Sequence, residues 1–519
     1  MLSTVDVMIV AVYAVGLFVL AQWVSREPSG QEKNAQDYFL AGKALPWWAI
    51  GASLIAANIS AEQIIGMSGS GYAIGLAIAS YEWMAAFTLL LVGKFLLPIF
   101  LKTGIYTMPQ FLEQRYDSRV RTVMALFWLG VYTFVNLTSI LWLGALAINT
   151  VAGVDLTFGL VALGVFAVAY SLYGGLRAVA LTDIIQVILL VLGGLMISWI
   201  LLDQIGDGAG VVAGFGALTD QAPDKFHMIL NEGHPHYMSL PGLSVLLGGM
   251  WVMNISYWGF NQYIIQRALA AKSVDEAQKG IAFAAFLKLL MPVIVVLPGI
   301  AMFVLSPDLS APDKAYPSAM NLLPIGVKGL VFAALLAAIV SSLASMCNSI
   351  STIFTVDVAP SLGINSDGGA RSVTLGRLVA MVAMGIAMVA AKPLLGNFEQ
   401  AFQYIQEFTG FFTPGIVAIF MLGLFWSRTT ATAALLSAVG SAALSLLLKL
   451  YWPDLPFMDR VGLVFILCVA MGVGWSLLRP RPQAGFVDPA GVIFQTTQGF
   501  NISAVVVTLI LVSFYTVWW

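Results

Sequence analysis

Charged residues are scarce in this sequence. Asp, Glu, Lys and Arg make up 10% of its 519 residues, whereas 60% are hydrophobic and the mean hydropathy is +0.90. A soluble protein of this length needs far more charge to cover its surface. The composition therefore excludes a soluble globular protein and indicates a polytopic helical membrane protein. The formal net charge of −2 and the lack of a basic tract also argue against a nucleic-acid partner.

Cysteines and the common catalytic motifs are also lacking. The two cysteines, Cys347 and Cys468, lie in separate apolar runs and are predicted to be core residues without a disulfide. The chain has no Walker loop, no HExxH and no GxSxG, so neither ATP-driven transport nor hydrolytic catalysis has a supporting motif. His227, His234 and His236 lack cysteine or paired carboxylate partners and are not predicted to bind a metal.

Long apolar runs, in contrast, are abundant. A helix needs about 20 residues to cross a hydrocarbon core of about 30 Å. That criterion predicts a single transmembrane domain, residues 1–519, with fourteen spans numbered zero to thirteen. The predicted spans are Val5–Val24, Trp47–Gly69, Leu76–Leu101, Thr122–Val151, Leu156–Gly174, Ala178–Leu202, Pro241–Gln266, Lys279–Leu305, Ile325–Phe354, Val373–Ala391, Phe398–Trp426, Ala431–Leu450, Val461–Leu478 and Asn501–Trp519.

The distribution of basic residues predicts the orientation. If the N-terminus is outside, 16 of the 24 Lys and Arg residues, Arg267 among them, fall in predicted cytoplasmic loops and span ends. Six fall on the opposite side, and two lie deeper within spans. This excess obeys the positive-inside rule, and an even number of spans then places both termini outside the cytoplasm.

Two spans are interrupted by polar residues and glycines. Span one carries Asn58, Glu62 and Gln63 at its middle, and span six carries Asn254 and Tyr257. Hydrocarbon offers no water to polar groups, so such segments must face protein or a wet cavity. Interrupted spans at matching positions of two halves are typical of an inverted repeat with a central site. The pattern therefore predicts the binding core of a secondary transporter.

Four further groups inside the spans favour a transport site. Glu82 in span two needs a partner or water, and Lys288 lies about 13 Å into span seven, near the limit of snorkelling. Ser341 and Ser342 in span eight offer hydroxyls that suit Na⁺, although small-residue helix packing is the alternative. Asp183, near the cytoplasmic end of span five, either guides a departing cation or simply caps its helix.

Span ten opens with amides beside aromatic rings. Gln403, Gln406 and Glu407 lie within about one turn, next to Phe402 and Tyr404. Amides bond hydroxyl groups, and rings pack on the C–H face of a sugar, so this stretch favours a sugar pocket. Ordinary hydrogen bonding between helices is the alternative.

Several long runs closely resemble the sodium:solute symporter family, and within it the bacterial sodium/galactose symporters. They include LIAANISAEQIIGMSGSGY, SYEWM, TDIIQV, YWGFNQYIIQRALAAKS, AAIVSSLASM and FQYIQEFTG, between residue 5 and about residue 430. The resemblance implies an all-α membrane protein of the bacterial inner membrane, not an enzyme, with a LeuT-type five-plus-five inverted repeat. The implied segments are residues 47–202 and 241–426 for the two repeats, with extra helices at 5–24 and 431–519.

The resemblance also implies the functional residues, position by position. A single Na⁺ site would use carbonyl and hydroxyl oxygens, with an acid on the exit route: Ala56, Ile59, Ala338, Ser341, Ser342 and Asp183. The sugar would contact Gln63, Glu82, Asn254, Lys288 and Gln406, with Asn58 nearby. The gates would be Tyr257 inside and Met67, Tyr81 and Phe402 outside. One position departs from the family's galactose transporters, because Ala85 stands where they have a serine.

The expected function is sodium-coupled symport of a neutral hexose, galactose or glucose, across a lipid bilayer by alternating access. Another solute (myo-inositol, a sialic acid or proline) is an alternative, although Glu82 and Lys288 together favour a neutral polyol. Proton coupling through Glu82 or Asp183 is a second alternative. A membrane sensor or membrane enzyme is disfavoured because no catalytic constellation is present. The sequence leaves the oligomeric state open.

Overall fold

The computed structural model describes residues 2–24, 45–105, 107–364, 370–396, 400–480, 485 and 491–519, without the side chains of residues 21–24, 172–184 and 370. Throughout these ranges the regular structure is helical, apart from an isolated parallel bridge between Leu45 and Ala271. An all-helical chain satisfies its backbone hydrogen bonds within each segment, as a hydrocarbon environment requires.

Twenty-two α-helices, α1 to α22 in chain order, make up the described ranges. They are Thr4–Val24, Trp47–Asn58, Met67–Ala73, Ser80–Leu91, Leu97–Thr103, Met108–Arg115, Ser118–Val131, Thr138–Ala152, Leu156–Ile205, Val211–Gln221, Gly242–Leu247, Gly249–Ile255, Gln262–Leu269, Val274–Leu305, Ala315–Met320, Val327–Ile353, Ala370–Leu395, Ala401–Gly410, Thr413–Phe425, Ala431–Tyr451, Phe457–Leu478 and Gln498–Val517. Wide π-helical turns join or extend several of them: Glu62–Gly66, Val92–Leu96, Tyr132–Leu137, Ser256–Phe260 and Phe354–Val358.

The helices are long and apolar enough for a multi-pass membrane protein. Over the described ranges nine helices could cross a membrane by length and composition, or eleven if each of two bent pairs counts as one span. Two shorter apolar helices, Thr4–Leu20 and Leu156–Ser171, correspond to predicted spans zero and four. The predicted total of fourteen and the predicted orientation remain predictions.

Helix α9 differs from the prediction of two helices separated by a short linker. It is helical over Leu156–Ile205, 50 residues, which is more than twice the length that one crossing of a hydrocarbon core needs. Three residues of α16 lie next to α9 and show its direction. Ile339 lies near Leu163, Ala344 lies beside Ser171, and Val331 packs against Gly193. The first part of α9 therefore runs along α16 in one direction, and the second part lies beside the start of α16 again. The two predicted passes stay a prediction.

The predicted interruptions of spans one and six are confirmed. Helices α2 and α3 are bent by 62° across residues 59–61, and span six is broken into α11, α12 and α13. A third bend, of 47°, separates α18 from α19 in span ten. It lies just before Pro414, whose ring and missing N–H prevent regular helix in the preceding turn. Polar groups of the broken segments consequently face the interior of the bundle.

Candidate functional site

A cavity of about 120 Å³ lies beside the breaks. It is enclosed by residues of α2, α4, α7, α12, α14, α18 and α19 and of the π-helical turns between them. All six residues predicted for the sugar line this one cavity: Asn58, Gln63, Glu82, Asn254, Lys288 and Gln406. The sequence scatters them over almost 350 positions, and the fold brings them together.

An ion pair forms the polar centre of the cavity wall. The Lys288 ammonium is fully buried, lies 2.5 Å from a Glu82 carboxylate oxygen and donates to the Asn58 side-chain oxygen. It also lies 4.9 Å from the centroid of the Trp258 ring, within range of a cation–π interaction. A buried charge is tolerated only when it is paired and hydrogen-bonded. These contacts tie α2, α4 and α14 together around a pair with no net charge.

The predicted inner gate lies on the wall of the cavity. Asn58 donates from its amide nitrogen to the Tyr257 hydroxyl at 3.1 Å. Beyond Tyr257 the cavity extends past Trp128, Tyr132 and Phe412, toward the end of the bundle that carries α6. The positive-inside prediction assigns this end to the cytoplasm. Tyr257 therefore lies next to the polar cluster on the wall of a cavity that Trp128, Tyr132 and Phe412 also line.

The predicted outer gate is closed. The Tyr81 and Phe402 rings meet edge to face, with centroids 5.1 Å apart. Met67 is completely buried, and its sulfur accepts from the Gln63 amide at 3.1 Å. Met67 is not among the residues that line the cavity.

A capping segment, residues 306–323, lies over the outer gate and joins α3 to α18. Asp313 accepts from the Ala401 amide at 2.9 Å, and an added Cβ at Gly69 would lie 2.4 Å from its other oxygen. Tyr72 donates to the Ser306 carbonyl from the end of α3. Burial raises the pKa of the Asp313 carboxyl to about 7. The segment thus links α3 to α18, the helices that carry Met67 and Phe402 of the predicted outer gate.

The predicted sodium ligands lie at the first break and on α16, which packs against α2. Ser341 and Ser342 are fully buried, and the Ser342 hydroxyl has no hydrogen-bond partner among the described residues. Ser60 donates to the Asn58 carbonyl instead of continuing the helical pattern to Ala56, as expected where a helix unwinds. An unpartnered buried hydroxyl beside unwound carbonyls suits a hard cation.

Two other predicted ligands, Ile59 and Ala338, are also buried: Ile59 follows the last residue of α2, and Ala338 lies one turn before the serines of α16. The described residues contain no cluster of three or more His, Cys, Asp or Glu residues that could hold a metal ion. The predicted ligands at this position are carbonyl and hydroxyl oxygens, which favour Na⁺ over a transition metal. The side chain of Asp183 lies outside the described residues.

Glu62 is a further polar residue of the cavity, one to which the sequence reasoning assigned no role. It lines the wall and accepts a hydrogen bond from the Ser139 hydroxyl. In the sequence, Glu62 is recognisable as a carboxylate in the middle of an apolar run. Glu407, grouped with Gln406 in the sequence, instead pairs at 2.5 Å with Lys449, away from the cavity. Only one face of α18 therefore contributes to the site.

Known proteins share both the sequence pattern and the fold. The sodium:solute symporter family matches residues 38–440. The chain is 51% identical to the sodium/glucose cotransporter of Vibrio parahaemolyticus, over 100% of this chain and 99% of that protein. It is 32% identical to sodium/glucose cotransporter 4 of Danio rerio, over 82% and 69% of the two chains. The solved outward-open, substrate-bound Na⁺-coupled sialic acid symporter superposes with a TM-score of 0.80 at 25% identity, covering 93% and 99%.

Proposed function

The chain belongs to the sodium:solute symporter family, and we propose that it carries a neutral hexose into the cell with Na⁺ by alternating access. The observation that carries this proposal is the convergence of six scattered polar residues on one cavity at the break of α2. Carboxylate, ammonium and amide groups are the donors and acceptors that a polyol's hydroxyls require. The chain would act as a multi-pass protein of the bacterial inner membrane.

The ion pair favours a neutral substrate over a charged one. Lys288 is already neutralised by Glu82, and the carboxylate of Glu62 faces the same cavity. A substrate carboxylate would therefore meet two acidic side chains and one ammonium that is already paired. The side chains of Gln63, Asn254 and Gln406 add neutral amides. These amides select a substrate by the positions of its hydroxyl groups and not by its charge. This arrangement favours a hexose or another neutral polyol over a sialic acid or proline as the substrate.

The proposed roles follow from the closed outer gate and the inner cavity. Na⁺ held by Ala56, Ile59, Ala338, Ser341 and Ser342 would stabilise the broken helix and complete the sugar site when the outer gate opens. Closure of Tyr81 and Phe402 over the sugar, followed by movement of Tyr257, would release both solutes inward, with Na⁺ passing Asp183. A potential of about 100 mV contributes about 2.3 kcal/mol per Na⁺, which corresponds to roughly 50-fold accumulation.

Uptake of labelled galactose and glucose into proteoliposomes tests the proposal. We expect an inward Na⁺ gradient to drive hexose uptake, and a K⁺ or proton gradient to drive none. Gln406→Ala should reduce that uptake because it removes an amide from the cavity wall. Uptake of myo-inositol, sialic acid or proline without hexose uptake would overturn the sugar assignment. Hexose uptake that follows pH and ignores Na⁺ would overturn sodium coupling.

Ala85 offers a direct test of sugar selectivity. It lines the cavity one turn after Glu82, and serine there would supply one extra hydroxyl. We expect Ala85→Ser to tighten galactose binding by about two- to tenfold, the effect of one net hydrogen bond of roughly 0.5–1.5 kcal/mol. Competition of unlabelled galactose against labelled glucose measures the change.

The matched control for this substitution is Ala86→Ser, at an equally buried neighbour that does not line the cavity. It should leave the galactose-to-glucose ratio unchanged. If Ala85→Ser leaves galactose competition unchanged or weakens it, the position does not contact the sugar.

A further inference from the structure

Two hydrogen bonds between helices, the rungs, join α2 and α13, which are the inner halves of the two broken spans. The Tyr263 hydroxyl donates to the Ala57 carbonyl, and Arg267 Nε donates to the Ser53 hydroxyl at 2.9 Å. Positions 263 and 267 are one turn apart on α13, and positions 57 and 53 are one turn apart on α2. The two helix segments are therefore held antiparallel and in a fixed register. The Ala57 carbonyl is one that the break leaves free for this bond.

Arg267 extends the connection to a third helix. Its guanidinium is fully buried, and Nη2 donates to the Ser345 hydroxyl of α16 at 2.9 Å while Nη1 donates to the Tyr263 carbonyl at 2.5 Å. A planar guanidinium can bridge several acceptors in a fixed geometry, which a lysine cannot do. The sequence analysis counted Arg267 among the charges of the cytoplasmic loops and span ends, and the structure shows that its guanidinium is buried.

The rungs lie between the two proposed binding sites. On α2 the sodium carbonyl of Ala56 lies between the two rung positions, and on α16 the hydroxyl of Ser342 lies about one turn from Ser345. On the other side, α13 directly follows the π-helical turn that carries the inner-gate residue Tyr257.

We propose that Tyr263 and Arg267 are positioning residues that couple the sodium site to the inner sugar gate. Na⁺ draws the carbonyls of α2 and the hydroxyls of α16 together, and the two rungs transmit that arrangement to α13 and to Tyr257. Neither residue needs to touch either solute. Because binding linkage is reciprocal, the same rungs make bound sugar strengthen Na⁺ binding. This inference rests on the proposed sodium and sugar sites.

Equilibrium binding of labelled galactose in Na⁺ and in K⁺ tests the coupling. Thermodynamic coupling between sites is typically 5- to 150-fold in affinity, so the wild type should bind galactose that much more tightly in Na⁺. We expect Tyr263→Phe and Ser345→Ala to reduce this ratio at least threefold while the affinity in K⁺ stays within twofold. Arg267→Gln should reduce it further, and Arg267→Lys should fall between Arg267→Gln and the wild type.

Two matched variants control for the loss of buried groups. Arg115→Gln removes another buried arginine, one that donates to backbone carbonyls such as that of Gly423. Tyr316→Phe removes a buried hydroxyl that has no partner among the described residues. Both should keep the wild-type ratio of affinities.

Two results would contradict the proposal in distinguishable ways. If the wild type shows the Na⁺ effect and Tyr263→Phe and Ser345→Ala both keep it in full, the coupling role is wrong and symport stands. If the wild type itself binds galactose equally in Na⁺ and K⁺, sodium coupling fails and the inference fails with it. Tyr263→Phe and Ser345→Ala each delete one hydroxyl and are expected to fold, so the test does not depend on Arg267→Gln.

Discussion

Replacing Lys288 by methionine is expected to reduce sodium-driven hexose uptake at least a hundredfold. The substitution keeps the length of the side chain but leaves Glu82 as an unpaired carboxylate in a buried wall. Breaking a buried pair by removing one partner typically costs about 3–5 kcal/mol, and each 1.4 kcal/mol is a tenfold change in an equilibrium constant. The ammonium's bond to Asn58 and its proposed bond to the sugar are lost as well. Initial uptake rates in proteoliposomes, at equal protein content, measure the effect.

A double variant separates binding from stability. Lys288→Met combined with Glu82→Gln removes both charges, and a neutral pair of similar volume is often as stable as the ion pair it replaces. We therefore expect the double variant to recover most of the thermal stability lost by Lys288→Met but none of the uptake. Recovery of uptake would contradict a sugar-binding role for these two side chains. Their role would then be structural.

Lys449 provides the matched control because it pairs with Glu407 at the same 2.5 Å, but on an exposed surface. Exposed pairs contribute about 0–1 kcal/mol, so Lys449→Met should change neither the stability nor the uptake appreciably. If Lys449→Met is as damaging as Lys288→Met, the loss of a lysine itself, and not its position in the cavity, explains the result.

The polar residues of the cavity could be predicted from the sequence because the membrane restricts where they can lie. Asn58, Glu82 and Lys288 are conspicuous in apolar runs, and hydrocarbon leaves them only a protein-lined cavity. The resemblance to a family supplied Gln63 and Gln406, which polarity alone did not distinguish from Gln403. The structure places all of these except Gln403 on one wall.

Other features depend on tertiary contacts that no local pattern contains. Arg267 follows the predicted end of span six and was counted with the cytoplasmic charges, yet Ser53 and Ser345 from distant segments make it a buried group. The hydrogen bond that Asp313 accepts from the Ala401 amide likewise depends on a loop that lies about 90 residues from Ala401 in the sequence.

The substitution Ser342→Ala is expected to abolish the response to Na⁺ without weakening the fold. The Ser342 hydroxyl is buried and has no partner among the described residues, so in K⁺ buffer its removal relieves a desolvation cost and should leave stability equal or higher. A ligand at 100 times its Kd stabilises the folded state by about 2.7 kcal/mol, so Na⁺ should raise the unfolding midpoint of the wild type. We expect the variant's Na⁺ affinity to fall at least tenfold and its sodium-driven uptake to be lost.

The same experiment decides between a ligand and a packing role for this serine. If small-residue packing explains the position, alanine is an adequate replacement and the Na⁺-dependent shift in the unfolding midpoint should persist in Ser342→Ala. Ser372→Ala is the control, since Ser372 also has a buried hydroxyl without a partner among the described residues but lies on α17 and does not line the cavity. A variant that is stable in K⁺ and insensitive to Na⁺, beside a control that keeps the full shift, identifies the Ser342 hydroxyl as a sodium ligand, because neither misfolding nor packing produces that combination.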